Sequence, residues 1–144
     1  DLSVITDIAK YFEKELGYRI PPQTPFVGKD FNTTRAGIHA DGLLKDEEIY
    51  NIFDTETILN RKAAVAVDHY SGLAGIAYWF NTYFNLPEGM KVEKTDDIVA
   101  EVKLLVDKEY EKGRTTAMSN YELKEFVKAI DIDYYHKLKF LSKN

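Results

Sequence analysis

The chain has 144 residues, about one domain, with 44% hydrophobic and 30% charged residues, a globular balance able to bury a core. Its 24 acidic and 19 basic residues leave a net charge of −5, which argues against general affinity for nucleic acid, where clustered cations must displace counterions. The absence of cysteine excludes disulfides, thiolate chemistry and cysteine-ligated zinc, and no apolar stretch nears the ~20 residues of a membrane-spanning helix. No basic-then-apolar leader is visible, so the cytoplasm is the expected compartment. The start at Asp1 rather than Met suggests a piece of a longer protein.

The first segment, SVITDIAKYFEKELG, sets Ile5, Ile8, Phe12 and Leu16 at helical spacing, and Gly17 offers a stop because glycine tolerates the left-handed conformation that closes helices. YRIPPQTPFVGKDFNTT follows, with Pro21, Pro22 and Pro25. Proline fixes φ and lacks an N–H, so the expectation is an extended connector without regular hydrogen bonding, mobile against the helices beyond it. RAGIHADGLLKDEEIY then sets Gly37 and Gly42 around His39 and Asp41. Each glycine costs roughly 1 kcal/mol against alanine inside a helix, so a purely packing helix would avoid both.

Asp46 is the expected N-cap of a short helix in DEEIYNIF, and a second short helix is expected to start at Asp54 or Thr55. KAAVAV is β-like but isolated, and one strand cannot satisfy its own backbone. SGLAGIAYWFNTYFNLP places Leu73, Ile76, Phe80 and Tyr83 on one face and stops at Pro87. TDDIVAEVKLLVDKEYEKG is amphipathic, with Ile98, Val102, Leu105 and Tyr110 inward and Gly113 closing it. SNYELKEFVKAI opens with a capping box, Ser119 with Glu122, and is expected to bury Leu123, Phe126 and Ile130. DIDYYHKLKFLSKN begins helical and frays. The whole reads as all-α, with five to seven helices in two parts, 1–62 and 63–144.

Metal-ligand spacing is missing: His39, His69 and His136 are far apart, in neither H-x-x-x-H nor H-x-H. His69 and His136 read as surface or packing residues. SGLAG lacks the lysine and strand–helix setting of a phosphate loop, and its glycines read as aids to close helix packing. YWFNTYF reads as core or subunit interface rather than a ligand platform. Taken alone, His39 fits a satisfied structural histidine better than a catalytic one. Along one continuous helix it would stand about 16 Å from Tyr50. A break at Gly42 and Asp46 would let the chain fold back and bring an imidazole and a phenol to one carbonyl.

IPPQTPFVGKDFNTTRAGIHADGLLKDEEIYNIFD resembles the region after the catalytic barrel in the 2-isopropylmalate synthase and homocitrate synthase family, which also holds citramalate synthases and Re-type citrate synthases. Pro25, Val27 and Gly28 match a P-x-V-G segment, AGIHADGLLK matches the histidine motif, and Tyr50 follows. VDHYSGLAGI is similar to the family's K-H-S-G-R-x-A stretch, with Leu73 where arginine is usual. The likeness covers roughly residues 5 to 85 strongly and the remaining helices weakly.

The resemblance implies a Claisen-type condensation of acetyl-CoA with a 2-oxo acid, followed by thioester hydrolysis. It implies an all-α linker and lid region, with the (β/α)₈ barrel absent from this chain. The divalent metal, Mg or Mn, would be held by that barrel, and none by these residues. A homodimer is implied, in which His39 enters the partner's barrel and assists proton transfer while Tyr50 lines the same site. Arg35 would contact an anionic substrate and Asp41 would orient the motif. Without the barrel the piece is expected to be inactive, and some aromatics of YWFNTYF are expected to stay exposed or be covered by a second copy. Isopropylmalate synthases usually continue into a feedback-regulatory domain, which this sequence does not contain; that and Leu73 in place of arginine lean the expectation toward homocitrate- or citrate-forming members. The alternative is a free-standing helical interaction domain.

Overall fold

The computed structural model describes residues 1–34, 42 and 53–142. Among them six α-helices run in order: α1 (Val4–Glu15), α2 (Thr55–Leu59), α3 (Leu73–Tyr83), α4 (Asp97–Glu111), α5 (Asn120–Ile130) and α6 (Ile132–Leu141). Two short strands, β1 (Thr33–Thr34) and β2 (Ala64–Val65), pair in parallel. The expected helix around Asp46 lies outside the described residues. KAAVAV therefore does make a strand, because Asn32 and Thr34 carbonyls accept the amides of Ala64 and Ala66 at 3.2 and 2.9 Å. The pairing is too short for a sheet to organise the fold, which is all-α.

Helices α3 to α6 enclose the core. Ile76 and Phe80 from α3, Val99, Val102 and Val106 from α4, Leu123 and Val127 from α5, and Leu138 from α6 are all but inaccessible to solvent. The buried stripe of α4 is Val99–Val102–Val106, one step round from the expected face, while Leu105 and Tyr110 are half-buried. α3 is similarly rotated: Leu73 and Tyr83 are each 40% exposed, and Ala77, Trp79 and Phe84 go inside with Ile76 and Phe80. Most of YWFNTYF is thus core, as read from the sequence, while Tyr83 stays exposed. Phe80 and Phe84 stack, Phe84 meets Tyr135 of α6 edge-on, and Trp79 donates its indole N–H to Asn120 at 2.9 Å.

Helix ends explain the boundaries. α3 stops at an αL asparagine, Asn85 at φ 49°, before Pro87 is reached. Leu86 N–H reaches the Asn81 carbonyl at 3.0 Å and Asn85 N–H that of Thr82 at 3.3 Å, the paired bonds of a Schellman end, and Leu86 is buried beneath it. The buried Asn81 side chain pairs with both backbone groups of Val92, donating at 3.0 Å and accepting at 2.7 Å, and so ties the next loop to α3. The capping box of α5 is present as expected, and Asp131 caps α6 by accepting from Tyr134. α6 runs from Ile132 to Leu141, the helical start expected of this segment.

α1 has the expected span and ends ahead of Gly17 at φ 66°. Its apolar stripe does not enter the core, however. Thr6 and Ala9 are its buried residues, and Thr6 Oγ1 donates to the Leu59 carbonyl at 2.6 Å. Ile5, Ile8 and Phe12 instead line an apolar groove of about 480 Å³ with Tyr18, Ile20 and Pro21.

The loop between α4 and α5 is closed by Arg114, which forms a two-pronged ion pair with Glu122 and also donates to the Thr116 and Ala117 carbonyls. Arg114 and the Ser119 groups hold the Glu122 carboxyl down to about 2, from an ordinary 4.5. A depressed carboxylate stabilises the fold fully above its ordinary pKa, and that contribution is lost as pH falls through 4.5 toward the folded value. Glu122→Gln should therefore lower the melting temperature of this chain at neutral pH. The gap to wild type should narrow as pH falls from 4.5 to about 2, measured by circular dichroism melts across that range.

Candidate functional site

The four residues singled out for chemistry, Arg35, His39, Asp41 and Tyr50, lie outside the described residues. The chain on either side of them is described, and it forms a tightly bonded neck. On the approach, residues 21–31 are not the extended connector expected from the prolines. They fold into successive turns: Thr24 N–H to Pro21 O at 3.0 Å, Gly28 N–H to Thr24 O at 2.8 Å, and Asp30 N–H to Pro22 O at 2.8 Å. Prolines deny donors only at their own positions; their carbonyls still accept, and here Pro21, Pro22 and Pro25 all do.

Gly28 is required by this folding. A Cβ there would stand 2.3 Å from the Pro22 carbonyl oxygen and 2.6 Å from the Thr24 nitrogen. Phe26, two residues earlier, takes φ 65°, and Val27 N–H closes a three-residue turn on the Pro25 carbonyl at 2.8 Å. A phenylalanine in that region is strained, and such turns are rare. Its ring stacks on Phe53, centroids 6.0 Å apart, and meets Phe31 at 6.2 Å. The stack joins the chain before the histidine motif to the chain just after it.

Arg61 holds this loop. Its Nη1 donates to the Phe26 carbonyl at 3.2 Å and its Nη2 to the Gly28 carbonyl at 2.9 Å, while the guanidinium sits 4.9 Å from the Phe31 ring centroid. Burial pushes the pKa of Arg61 down, partly opposed by Asp30 and Glu13, and an arginine remains charged regardless. Asn32 completes the neck: its amide reaches Thr55 Oγ1 at 3.1 Å and the Lys62 carbonyl at 3.0 Å, and Thr55 Oγ1 donates to the Arg61 carbonyl at 2.6 Å. α2 starts at Asp54, whose carboxylate accepts from the Glu56 and Thr57 amides, and ends at αL Asn60. The expectation of a helix start at Asp54 or Thr55 is met.

Beside the neck lies a cleft of about 400 Å³ lined by Lys10, Glu13, Lys29, Arg61 and Lys62 among others. No three His, Cys, Asp or Glu side chains converge on a metal position among the described residues. His69 and His136 are exposed, His69 against Tyr70 and Tyr110, in keeping with a surface or packing role. Gly72 has open space around it and only begins α3, while Gly75 packs on β2 at ordinary contact distance, so neither glycine serves helix-on-helix packing. Leu73 is the first residue of α3. Asn32, Thr55 and Arg61 were missed by sequence reading; each is an ordinary polar residue whose partners lie far along the chain.

No family model matches the chain. Among curated proteins, it is 57% identical over 129 residues to a citrate (Re)-synthase of Clostridium kluyveri, covering 90% of this chain and 28% of that protein. It is 50% identical over 128 residues to a citrate (Re)-synthase of Syntrophus aciditrophicus, covering 89% and 20%. A 2-phosphinomethylmalate synthase of Streptomyces hygroscopicus is 39% identical over 103 residues, covering 72% and 22%. The chain belongs to the family of the Re-citrate, homocitrate and 2-isopropylmalate synthases. It spans about a quarter of the length of the Clostridium relative, and its all-helical fold contains no catalytic barrel among the described residues. In sequence, the neck flanks the segment AGIHADGLLK.

Gly28→Ala tests the folded-back loop. The added methyl meets backbone rather than a flexible side chain, so the loop has to open. The expected result is a lower melting temperature together with faster hydrogen exchange at the amides of Thr24, Gly28 and Asp30; unchanged exchange there would contradict the loop.

Proposed function

We propose that this chain is the helical, post-barrel part of an acetyl-CoA:2-oxo acid acyltransferase that forms citrate, with homocitrate or isopropylmalate formation as less favoured members of the same reaction class. The observation that carries the reading is 57% identity over 129 residues to a citrate (Re)-synthase. Acetyl-CoA and oxaloacetate are then the substrates. The enzyme acts as a cytoplasmic homodimer in which each helical part serves the partner's barrel, and these residues alone are inactive.

In this reading His39 moves a proton at the acetyl methyl or the 2-oxo group, because an imidazole titrates near neutral pH and can act as acid or base there. The Tyr50 hydroxyl lines the same site, Arg35 contacts an anionic substrate group, and Asp41 orients the motif. A Mg or Mn ion would supply polarisation of the 2-oxo carbonyl from the barrel. The described residues bring no metal-ligand cluster together, so no step is assigned to this chain through the ion.

The full-length protein should release free thiol from acetyl-CoA with oxaloacetate faster than with 2-oxoglutarate or 2-oxoisovalerate. A preference for either of the others would move the assignment within the family, and no release with any 2-oxo acid would remove it. His39→Ala should lower kcat by roughly 10²–10⁴ with the fold intact, and Tyr50→Phe should cost less because its ring still packs.

Sharing of sites between subunits has its own test. His39→Ala protein mixed with a barrel metal-site mutant should recover activity after subunit exchange, to about a quarter of wild type at most, since half the dimers are mixed and each has one working site of two. No recovery after verified exchange would place His39 in its own chain's site or make it structural.

A further inference from the structure

We propose that Arg61 is a positioning residue for the condensation, acting by holding the strained Phe26 turn and the neck from which the histidine motif departs. The inference rests on the reading of His39 as the proton-moving group. Strain at Phe26 is the first support. A non-glycine residue at φ 65° in a three-residue turn persists only where its surroundings over-determine it, and such strain collects at functional sites. Here the over-determination is visible: the turn's carbonyl is held by Arg61 Nη1, the next glycine carbonyl by Nη2, and the Phe26 ring by Phe53 and Phe31.

The second support is where those bonds lead. Residue 34 enters the motif from β1, which is bonded to β2, and residue 53 leaves it against Phe26. Arg61 stands between α2 and β2 and so touches both sides: its side chain grips the incoming loop, and its carbonyl accepts from Thr55 in the outgoing helix. The same residue's backbone and side chain thus fix the relative position of the two ends. A stability role alone would not require a guanidinium, since a loop of this size could be closed by apolar packing. A planar fork that meets two carbonyls in set directions specifies position as well as attraction.

A displacement of about 1 Å at a reacting group can cost about 10²-fold in rate. The test uses the full-length enzyme, with thiol release from acetyl-CoA as the assay. Arg61→Ala should lower kcat by about 10²-fold while KM for both substrates stays within about two-fold, at a temperature where the variant is fully folded. Arg61→Lys, which keeps the charge and loses the fork, should fall between. Added methylguanidinium should restore part of the activity of Arg61→Ala and none of that of His39→Ala.

Wild-type kcat in folded Arg61→Ala overturns the inference, as does rescue of neither variant. If Arg61→Ala fails to fold, Arg61→Lys decides: kcat within about two-fold of wild type overturns it. The two readings fail separately. Full activity in His39→Ala sinks the assignment of His39, and with it this inference. A dead His39→Ala beside a fully active Arg61→Lys sinks only the inference.

Discussion

Two carbonyl oxygens, those of Phe26 and Gly28, converge on the single guanidinium of Arg61, more than thirty residues away in sequence. Without that charge the Phe26 carbonyl loses its side-chain donor and the Gly28 carbonyl keeps only the Phe31 amide, leaving the Phe26 turn to the Pro25–Val27 bond and the Phe31 and Phe53 rings. The turn in turn sets Phe26 on Phe53, and Gly28 into a space where only a residue without Cβ fits. Asn32 then meets Thr55 and the Lys62 carbonyl, and the two-residue strand pairing follows from that register. This long-range ion-to-carbonyl contact therefore fixes residues 26–28 against the end of α2, beside the Asn32 and Phe53 contacts that close the rest of the neck.

The helical core beyond the neck follows a different logic. Its helices are consecutive in sequence and pack as consecutive neighbours, with valines of α4 interleaved against α3 and α5. Its few buried polar groups are satisfied in ways that tie loops down: Asn81 to both backbone groups of Val92, Trp79 to Asn120, and Ser71 into the turn at Asp68. Among the described residues no buried side-chain nitrogen or oxygen lacks a partner. Apolar burial supplies the stability there and polar pairing supplies the register.

α1 stands apart from that core. Its apolar residues Ile8, Phe12 and Leu16 are between 44% and 60% exposed, and it is tied to α2 chiefly by the Thr6–Leu59 bond and the small face around Ala9. The matched part covers 28% and 20% of the length of the two citrate (Re)-synthase relatives.

What the sequence determined by itself was local. Helix periodicity, the Ser119–Glu122 box, the Asp54 cap, and the stops at Gly17 and Gly113 depend on residues within a few positions of one another, and all were legible. The all-α class followed, and so did family membership, because AGIHADGLLK with its flanking glycines is specific as text. Which face of α3 or α4 is buried was decided only by the neighbours that pack on it, since an apolar stripe is broad and a helix can rotate within it by a residue. The three prolines suggested an extended connector, yet their carbonyls found donors near and far and the segment closed into turns. The roles of Arg61, Asn32 and Thr55 come from contacts across 6 to 35 residues of chain, and no local pattern announces a guanidinium that will meet two distant carbonyls. Tertiary structure decided the neck because hydrogen-bond partners are chosen by proximity in space, which the order of residues along the chain constrains only weakly.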